Sequence, residues 1–166
     1  MGDKGDGMVG RINTVAARLK YEPTINDIRS LDVAYSPPFS SALDILNTLG
    51  NVAENVLSGK NRGLEIEAFK ELWARRETGE TTFIDCRGWG NAEPFVKKYP
   101  LHWKNIPQEV LKGRIQEIPP DRPVVLICNT GMRSYEAQVM LDHAGINKTH
   151  NLPGGMAALK KWGVAV

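Results

Sequence analysis

Only two cysteines occur in the 166 residues, Cys86 and Cys128, and the three histidines, His102, His143 and His150, are dispersed along the chain. No metal-ligand spacing results, so no metal is expected, and a reducing cytoplasm is the default compartment. Long apolar runs are missing too, and no charged-then-apolar leader follows Met1, which argues against a membrane span and an export signal. Neither sign of charge dominates. Twenty-one Lys and Arg are interleaved with nineteen Asp and Glu, giving +2, so neither nucleic acid nor a membrane surface is an expected partner. What is abundant is apolar side chain: 42% of the residues, enough for the core of one ordinary domain plus an extension.

The apolar residues are arranged in recognisable periods. Val9, Ile12, Val15, Ala16 and Leu19 predict a short amphipathic helix over residues 9–20. Leu31 to Tyr35 alternates and then meets Ser36-Pro37-Pro38, which cannot continue a strand ladder. Ser40 or Ser41 is the expected cap of a helix carrying Ala42, Ile45, Leu46, Leu49, Val52, Ala53 and Val56, a broad stripe that needs a covering surface. Ser58 to Gly63 breaks the pattern and divides the chain into residues 1–60 and 61–166. Beyond it, helices are expected over 66–75, 92–98, 108–118 and 134–143, with another near the end of the sequence. Strands are expected over 81–86, 124–128 and 149–152. This alternation predicts an α/β fold, a parallel sheet with helices on both faces preceded by a helical arm, and such sheets bind ligands beyond the carboxyl ends of their strands.

Cys128 falls at such an end, and so does Asp85. The segment Cys128-Asn129-Thr130-Gly131-Met132-Arg133-Ser134 follows the apolar run Pro123 to Ile127 and leads into the helix expected from Ser134, six residues on. Unpartnered N–H groups at a helix start can converge on an anion at the cysteine sulfur, and Arg133 adds a fixed positive charge, so a low-pKa thiolate nucleophile is expected. A merely structural cysteine would not need a polar, Gly-containing loop closed by Arg-Ser. A phosphatase-type loop has five residues between Cys and Arg, whereas four intervene here, which favours a sulfur atom over a phosphate group. Gly5-Asp6-Gly7-Met8-Val9-Gly10 satisfies a dinucleotide-binding pattern, but no strand precedes it to aim it.

With Cys128 to Ser134, three further motifs fall in order: Phe83-Ile84-Asp85-Cys86-Arg87, Asn105-Ile106-Pro107, and Asn151-Leu152-Pro153-Gly154-Gly155 followed by Trp162. Together they resemble the rhodanese family of sulfurtransferases over about residues 63–166. The resemblance implies that Cys128 takes a sulfane sulfur as a persulfide from an anionic donor (thiosulfate, polysulfide or a low-molecular-weight persulfide). It then passes the sulfur to a thiol or cyanide. Asn129, Thr130, Gly131, Met132, Arg133 and Ser134 would bind the substrate, Asp85 and Arg87 would brace the loop, and no cofactor is implied. The alternative is a sulfur-carrier module with little turnover of its own. Tyr99 to Lys104 departs from the family pattern, so a different rim is expected there. Cys86 reads as a core side chain.

The segment from Leu31 through Phe39 to Leu57 resembles the end of the dimerisation domain of flavin-dependent pyridine nucleotide-disulfide reductases of the coenzyme A-disulfide and persulfide reductase group. Some members carry a rhodanese domain directly after it, and the resemblance makes Tyr35 a contact residue toward an opposing subunit. The 166 residues hold no room for the FAD and NAD(P) domains or the redox cysteine of that family. Homodimerisation through residues 31–57, or association with a flavoprotein reductase, is the implied partnership.

Overall fold

A computed structural model describes residues 7–34, 38 and 42–166. Tyr35, Phe39, both proposed serine caps and the start of the glycine-rich dinucleotide-like pattern lie outside the described residues. The chain divides into two compact units, Met1–Gly59 and Lys60–Val166.

In the first unit, α1 (Met8–Leu19), α2 (Ile25–Arg29) and α3 (Ile45–Leu57) are short helices. The helix expected from Ala42 begins at Ile45, where Asp44 and Asn47 form a reciprocal capping box that satisfies otherwise orphaned N–H groups. The Asn47 amide also donates to the carbonyls of Arg29 and Leu31, at 3.0 and 2.8 Å, fixing α2 across α3. That crossing explains Gly50: a Cβ there would lie 2.5 Å from the Arg29 nitrogen. Residues 31–34 are irregular rather than a strand. The apolar stripe is only partly covered, with Ile45, Leu49 and Val56 about half exposed or more.

The second unit holds α4 (Ile66–Ala74), β1 (Thr82–Asp85), α5 (Trp89–Lys98), β2 (Trp103–Asn105), a 3₁₀ stretch Gln108–Glu117, β3 (Val124–Ile127), α6 (Met132–His143), β4 (Thr149–Asn151) and α7 (Gly155–Lys161). The four strands are all parallel in the order β2-β1-β3-β4. Alternate residues feed two cores, as a sheet buried on both faces requires. Phe83, Val125 and Ile127 pack with Phe69, Trp73, Trp103 and Leu159 on one side. Ile84, Val124 and Leu126 pack with Leu111, Ile118, Ala137 and Leu141 on the other. Each fully buried side chain of this size contributes roughly 1.5–3 kcal/mol.

Several expected elements shift. The helix expected at Ser134 starts at Met132, four residues after Cys128, so the last part of the loop is itself the first helical turn. The helix expected over 108–118 is a run of 3₁₀ turns interrupted at Arg114, whose φ of −124° is not helical. Helix α5 begins at Trp89 and carries Pro94 as its sixth residue, where the ring removes one intrahelical hydrogen bond. Strand β2 was not expected. Its start at Trp103, opposite Phe83, puts Tyr99 to His102 at the amino ends of the strands, so the atypical segment does not rim the carboxyl-end crevice. The Trp103 that follows is buried, and Leu101 is 89% exposed.

Because β2 is added on one side of β1 and β3 on the other, the strand order reverses between β1 and β3. A crevice opens at such a switch point, beyond the carboxyl ends of both strands. Cys86 and Cys128 stand side by side there, one residue past the paired Asp85 and Ile127.

Candidate active site

Strand β3 ends at Ile127, and the chain must turn sharply to enter α6 over the same sheet. Gly131 makes that turn with φ of +94°, in the left-handed region that side-chain-bearing residues seldom adopt. The turn folds the loop back over the cysteine. The Cys128 Sγ accepts a hydrogen bond from the Gly131 N–H at 3.1 Å and lies 3.3 Å from the Ser134 hydroxyl. Burial by itself pushes this thiol up. The Ser134 hydroxyl and the N–H groups of Ser134, Thr130 and Gly131 outweigh it and leave the thiol below its ordinary value. Cys128 is only 1% exposed and packs in the apolar cluster with Ile84, Leu126 and Ala137, while its sulfur meets the donors of the loop.

The loop's outward residues differ in exposure. Asn129, Thr130 and Met132 are exposed, Met132 by 71%, and Arg133 is half-buried. Among the described residues the Arg133 guanidinium has no hydrogen-bond or ion-pair partner, so its charge is not consumed in tying the loop to the sheet. A cavity of about 480 Å³ beside β2, between Trp89, Leu101, Lys104 and Arg122, includes none of residues 128–134.

Asp85 and Arg87 are not a surface ion pair. Their side chains are 0% and 6% exposed, and the guanidinium grips the carboxylate in fork geometry, with Nη2 at 2.6 Å and Nε at 2.9 Å. Trp103 Nε1 donates to the same carboxylate at 3.0 Å. Arg87 then reaches the loop, donating from Nη1 to the Asn129 side chain at 3.4 Å, while its guanidinium stacks 5.0 Å from the Phe95 ring. Through Asn129 the Asp85–Arg87 pair is thus joined to the loop that carries Cys128. Asn105 completes the frame: its amide donates to the carbonyls of Asp85 and Arg87, at 2.8 and 2.7 Å, fixing the turn that carries Arg87.

The Gly154-Gly155 pair has a role that the sequence reading left unassigned. Met156 and Ala157 N–H groups, at the head of α7, bind the carbonyls of Cys128 and Asn129 at 2.8 and 3.0 Å. With those carbonyls drawn away, the N–H groups of the loop are left facing the sulfur. Gly155 is where the two segments touch: a Cβ there would lie 2.1 Å from the Cys128 oxygen. Asn151 was also missed. Its side-chain oxygen accepts from the Ser134 hydroxyl at 2.7 Å. A spacing of Asn three residues before Gly-Gly gives no local signal of that contact. Trp162, the last motif residue, is 66% exposed and touches none of this.

Cys86 offers the contrast. It is fully buried, and desolvation, then the neighbouring Asp85 and Cys128, push its thiol well above the ordinary range. Among the described residues no three His, Cys, Asp or Glu side chains group so as to hold a metal ion. No described helix is long and apolar enough to cross a membrane.

The profile of the rhodanese-like domain matches residues 68–161, more than half of the chain and all of the site. The protein belongs to the rhodanese-like family. A sulfurtransferase from Allochromatium vinosum is 38% identical over 61 residues, which cover 37% of this chain and 57% of that one. Two solved structures superpose over nearly everything described. The NAD-dependent persulfide reductase from A. fulgidus has a TM-score of 0.70 and 33% identity, covering 90% of this chain and 25% of its own. The reduced Bacillus anthracis CoADR-RHD has a TM-score of 0.75 and 29% identity, covering 94% and 27%. The rhodanese-like chain therefore spans little more than half of the curated relative and about a quarter of each larger protein.

Proposed function

We propose that the protein is a sulfurtransferase that carries sulfane sulfur on Cys128. The observation that carries this reading is the acidified sulfur under a ring of N–H donors, since a thiolate and a persulfide anion both need such donors. In the first half-reaction the Cys128 thiolate attacks the sulfane sulfur of the donor. A Cys–S bond to that sulfur forms, the donor's S–S bond breaks, and sulfite or a thiolate leaves with the electron pair. In the second, an acceptor thiolate or cyanide attacks the outer sulfur and Cys128 leaves as thiolate. No net redox change of the enzyme occurs, and the kinetics are ping-pong. Asn129, Thr130, Gly131, Met132, Arg133 and Ser134 form the sulfur-binding ring, with Arg133 drawing in an anionic donor; Asp85 and Arg87 hold the ring in place. The family and the sulfurtransferase relative support the same chemistry.

A second reading concerns the first unit. Likeness to the two reductases extends over 90% and 94% of the chain, more than a rhodanese domain alone occupies, which supports residues 1–60 as a remnant of a reductase dimerisation domain followed by a rhodanese domain over 61–166. On this reading Cys128 delivers its sulfur to a flavoprotein reductase, and residues 31–57 pair with that partner or with a second copy.

Thiosulfate:cyanide transfer, with and without Cys128→Ala, separates the two modes. Robust turnover that is lost in the variant supports the enzyme; a stable gain of one sulfur atom on Cys128 with negligible turnover supports the carrier. An intact mass unchanged by thiosulfate, polysulfide and glutathione persulfide overturns both.

A further inference from the structure

The Ser134 hydroxyl has one proton and two acceptors. It is fully buried, 2.7 Å from the Asn151 side-chain oxygen and 3.3 Å from the Cys128 sulfur. Asn151 is 3% exposed, and its amide nitrogen donates to the Asn61 side-chain oxygen at 3.2 Å. The backbone around it is equally fixed. The Asn151 N–H donates to the Arg62 carbonyl at 2.9 Å, and its carbonyl accepts from the Leu64 N–H at 2.8 Å, so residues 62–64 run alongside β4 at this one position. A continuous polar line therefore leads from Asn61, at the start of the rhodanese unit, through Asn151 and Ser134 to the nucleophile.

We propose that Asn151 is a positioning residue that holds the Ser134 proton while Cys128 is neutral or persulfidated and releases it to the sulfur when Cys128 becomes a thiolate, with Asn61 fixing which end of the Asn151 amide faces the serine. This proposal rests on Cys128 being the reactive thiol of the reading above. With the oxygen of Asn151 toward Ser134, the shorter hydrogen bond keeps the hydroxyl on the amide. A full negative charge on the inner sulfur is the stronger acceptor, and the proton turns to it. In sulfur transfer that charge appears when Cys128 leaves the outer sulfur, so the donor arrives as it is needed. Were the amide turned over, its nitrogen would donate to the serine oxygen and commit the hydroxyl to sulfur permanently. Asn61 opposes this, because its own oxygen accepts from the Asn151 nitrogen. Nearby ionisable groups are Arg133 on α6, the Asp85–Arg87 pair and Cys86 from the end of β1, His150 beside Asn151 on β4 and Arg62 beside Asn61; Asn61→Ala and Ser134→Ala leave all of them in place, whereas Asn151→Asp adds a carboxyl of its own.

The test is the pH dependence of Cys128 alkylation by iodoacetamide, read by peptide mass spectrometry, a measurement that needs no sulfur transfer. Asn61→Ala frees the amide to turn, and the midpoint is expected to fall by about half a unit, while Asn151→Asp, an acceptor at both oxygens, raises it by about one unit. In a Ser134→Ala background the Asn61→Ala shift disappears, because no hydroxyl remains to be reassigned. A midpoint unmoved by Asn61→Ala with Ser134 present, or moved equally without it, overturns the relay. Asn61 is half-buried and outside the core, so Asn61→Ala is expected to fold even where Asn151→Asp does not. Failure of sulfur transfer with the relay intact would count against the proposed function alone.

Discussion

The ends of β1 and β3 put two cysteines side by side on one sheet, and the fold shifts their thiols in opposite directions, Cys128 down and Cys86 up. Cys86 and Cys128 are both buried, so burial does not distinguish them. What differs is the next few residues. After Cys128 the chain turns through Gly131 into a helix whose first N–H groups face back on the sulfur, whereas after Cys86 it runs into Arg87, whose charge is already given to Asp85. A desolvated thiol ionises in the fold only where donors replace the lost water. The loop, more than the residue type, decides which thiol is chemical.

That contrast can be broken or sharpened by measurement. The largest effect expected is in labelling: at pH 7 iodoacetamide should modify Cys128 at least about a hundred times faster than Cys86, and comparable rates would remove the distinction. Next comes the frame that holds the loop. Asp85→Ala leaves the Arg87 guanidinium buried without its carboxylate and should cost about 3–5 kcal/mol in urea unfolding, whereas a loss below about 1 kcal/mol would mean the pair is not structural. Gly155→Ala drives a methyl group into the Cys128 carbonyl at a position of positive φ, and about 2–3 kcal/mol is expected, together with slower Cys128 alkylation as the loop opens.

The smallest effects concern pH, where the two thiols act with opposite sign. The Cys86 thiol is raised in the fold, so its contribution is complete below the unfolded value near pH 8.5 and is lost as pH rises beyond it. Cys86→Ala should therefore flatten the decline in stability between pH 8 and pH 10 by about 1–2 kcal/mol. The Cys128 thiol is lowered, so its contribution is present above the unfolded value and is lost as pH falls through the folded one. Cys128→Ala should cost more stability at pH 9 than at pH 6 in urea unfolding, and an equal cost at both would remove the sign difference.

Much of this arrangement is legible in the chain. Alternating strand and helix patterns give the parallel sheet, and Cys128 ends the most apolar strand. The parts that escape local reading depend on distant partners. Strand β2 is three residues, Trp-Lys-Asn, and becomes a strand because Trp103 is buried against Phe95 and Asp85, not because its own pattern alternates. Asp85 and Arg87 look like solvated charges until Trp103 and Phe95 cover them. Gly154 and Gly155 read as a turn, and only the approach of the Cys128 carbonyl shows what a side chain would strike. Helix α2 is a different case. Thr24 followed by Asp27 is a capping-box pattern visible without any structure, and it marks a helix that the periodicity was too short to reveal.

The two hydrogen bonds from Met156 and Ala157 to the loop carbonyls have a consequence for the order of biosynthesis. Chains are made from the amino end, and domains gain structure as they emerge. Cys128, strands β1 to β3 and α6 all precede residue 149, so a nascent polypeptide bears the thiol before it bears the amides that orient the surrounding peptide groups. Until Gly154 to Ala157 have been synthesised and docked, the Cys128 and Asn129 carbonyls lack those two donors, and the loop around the sulfur is pinned only as the fold closes over it.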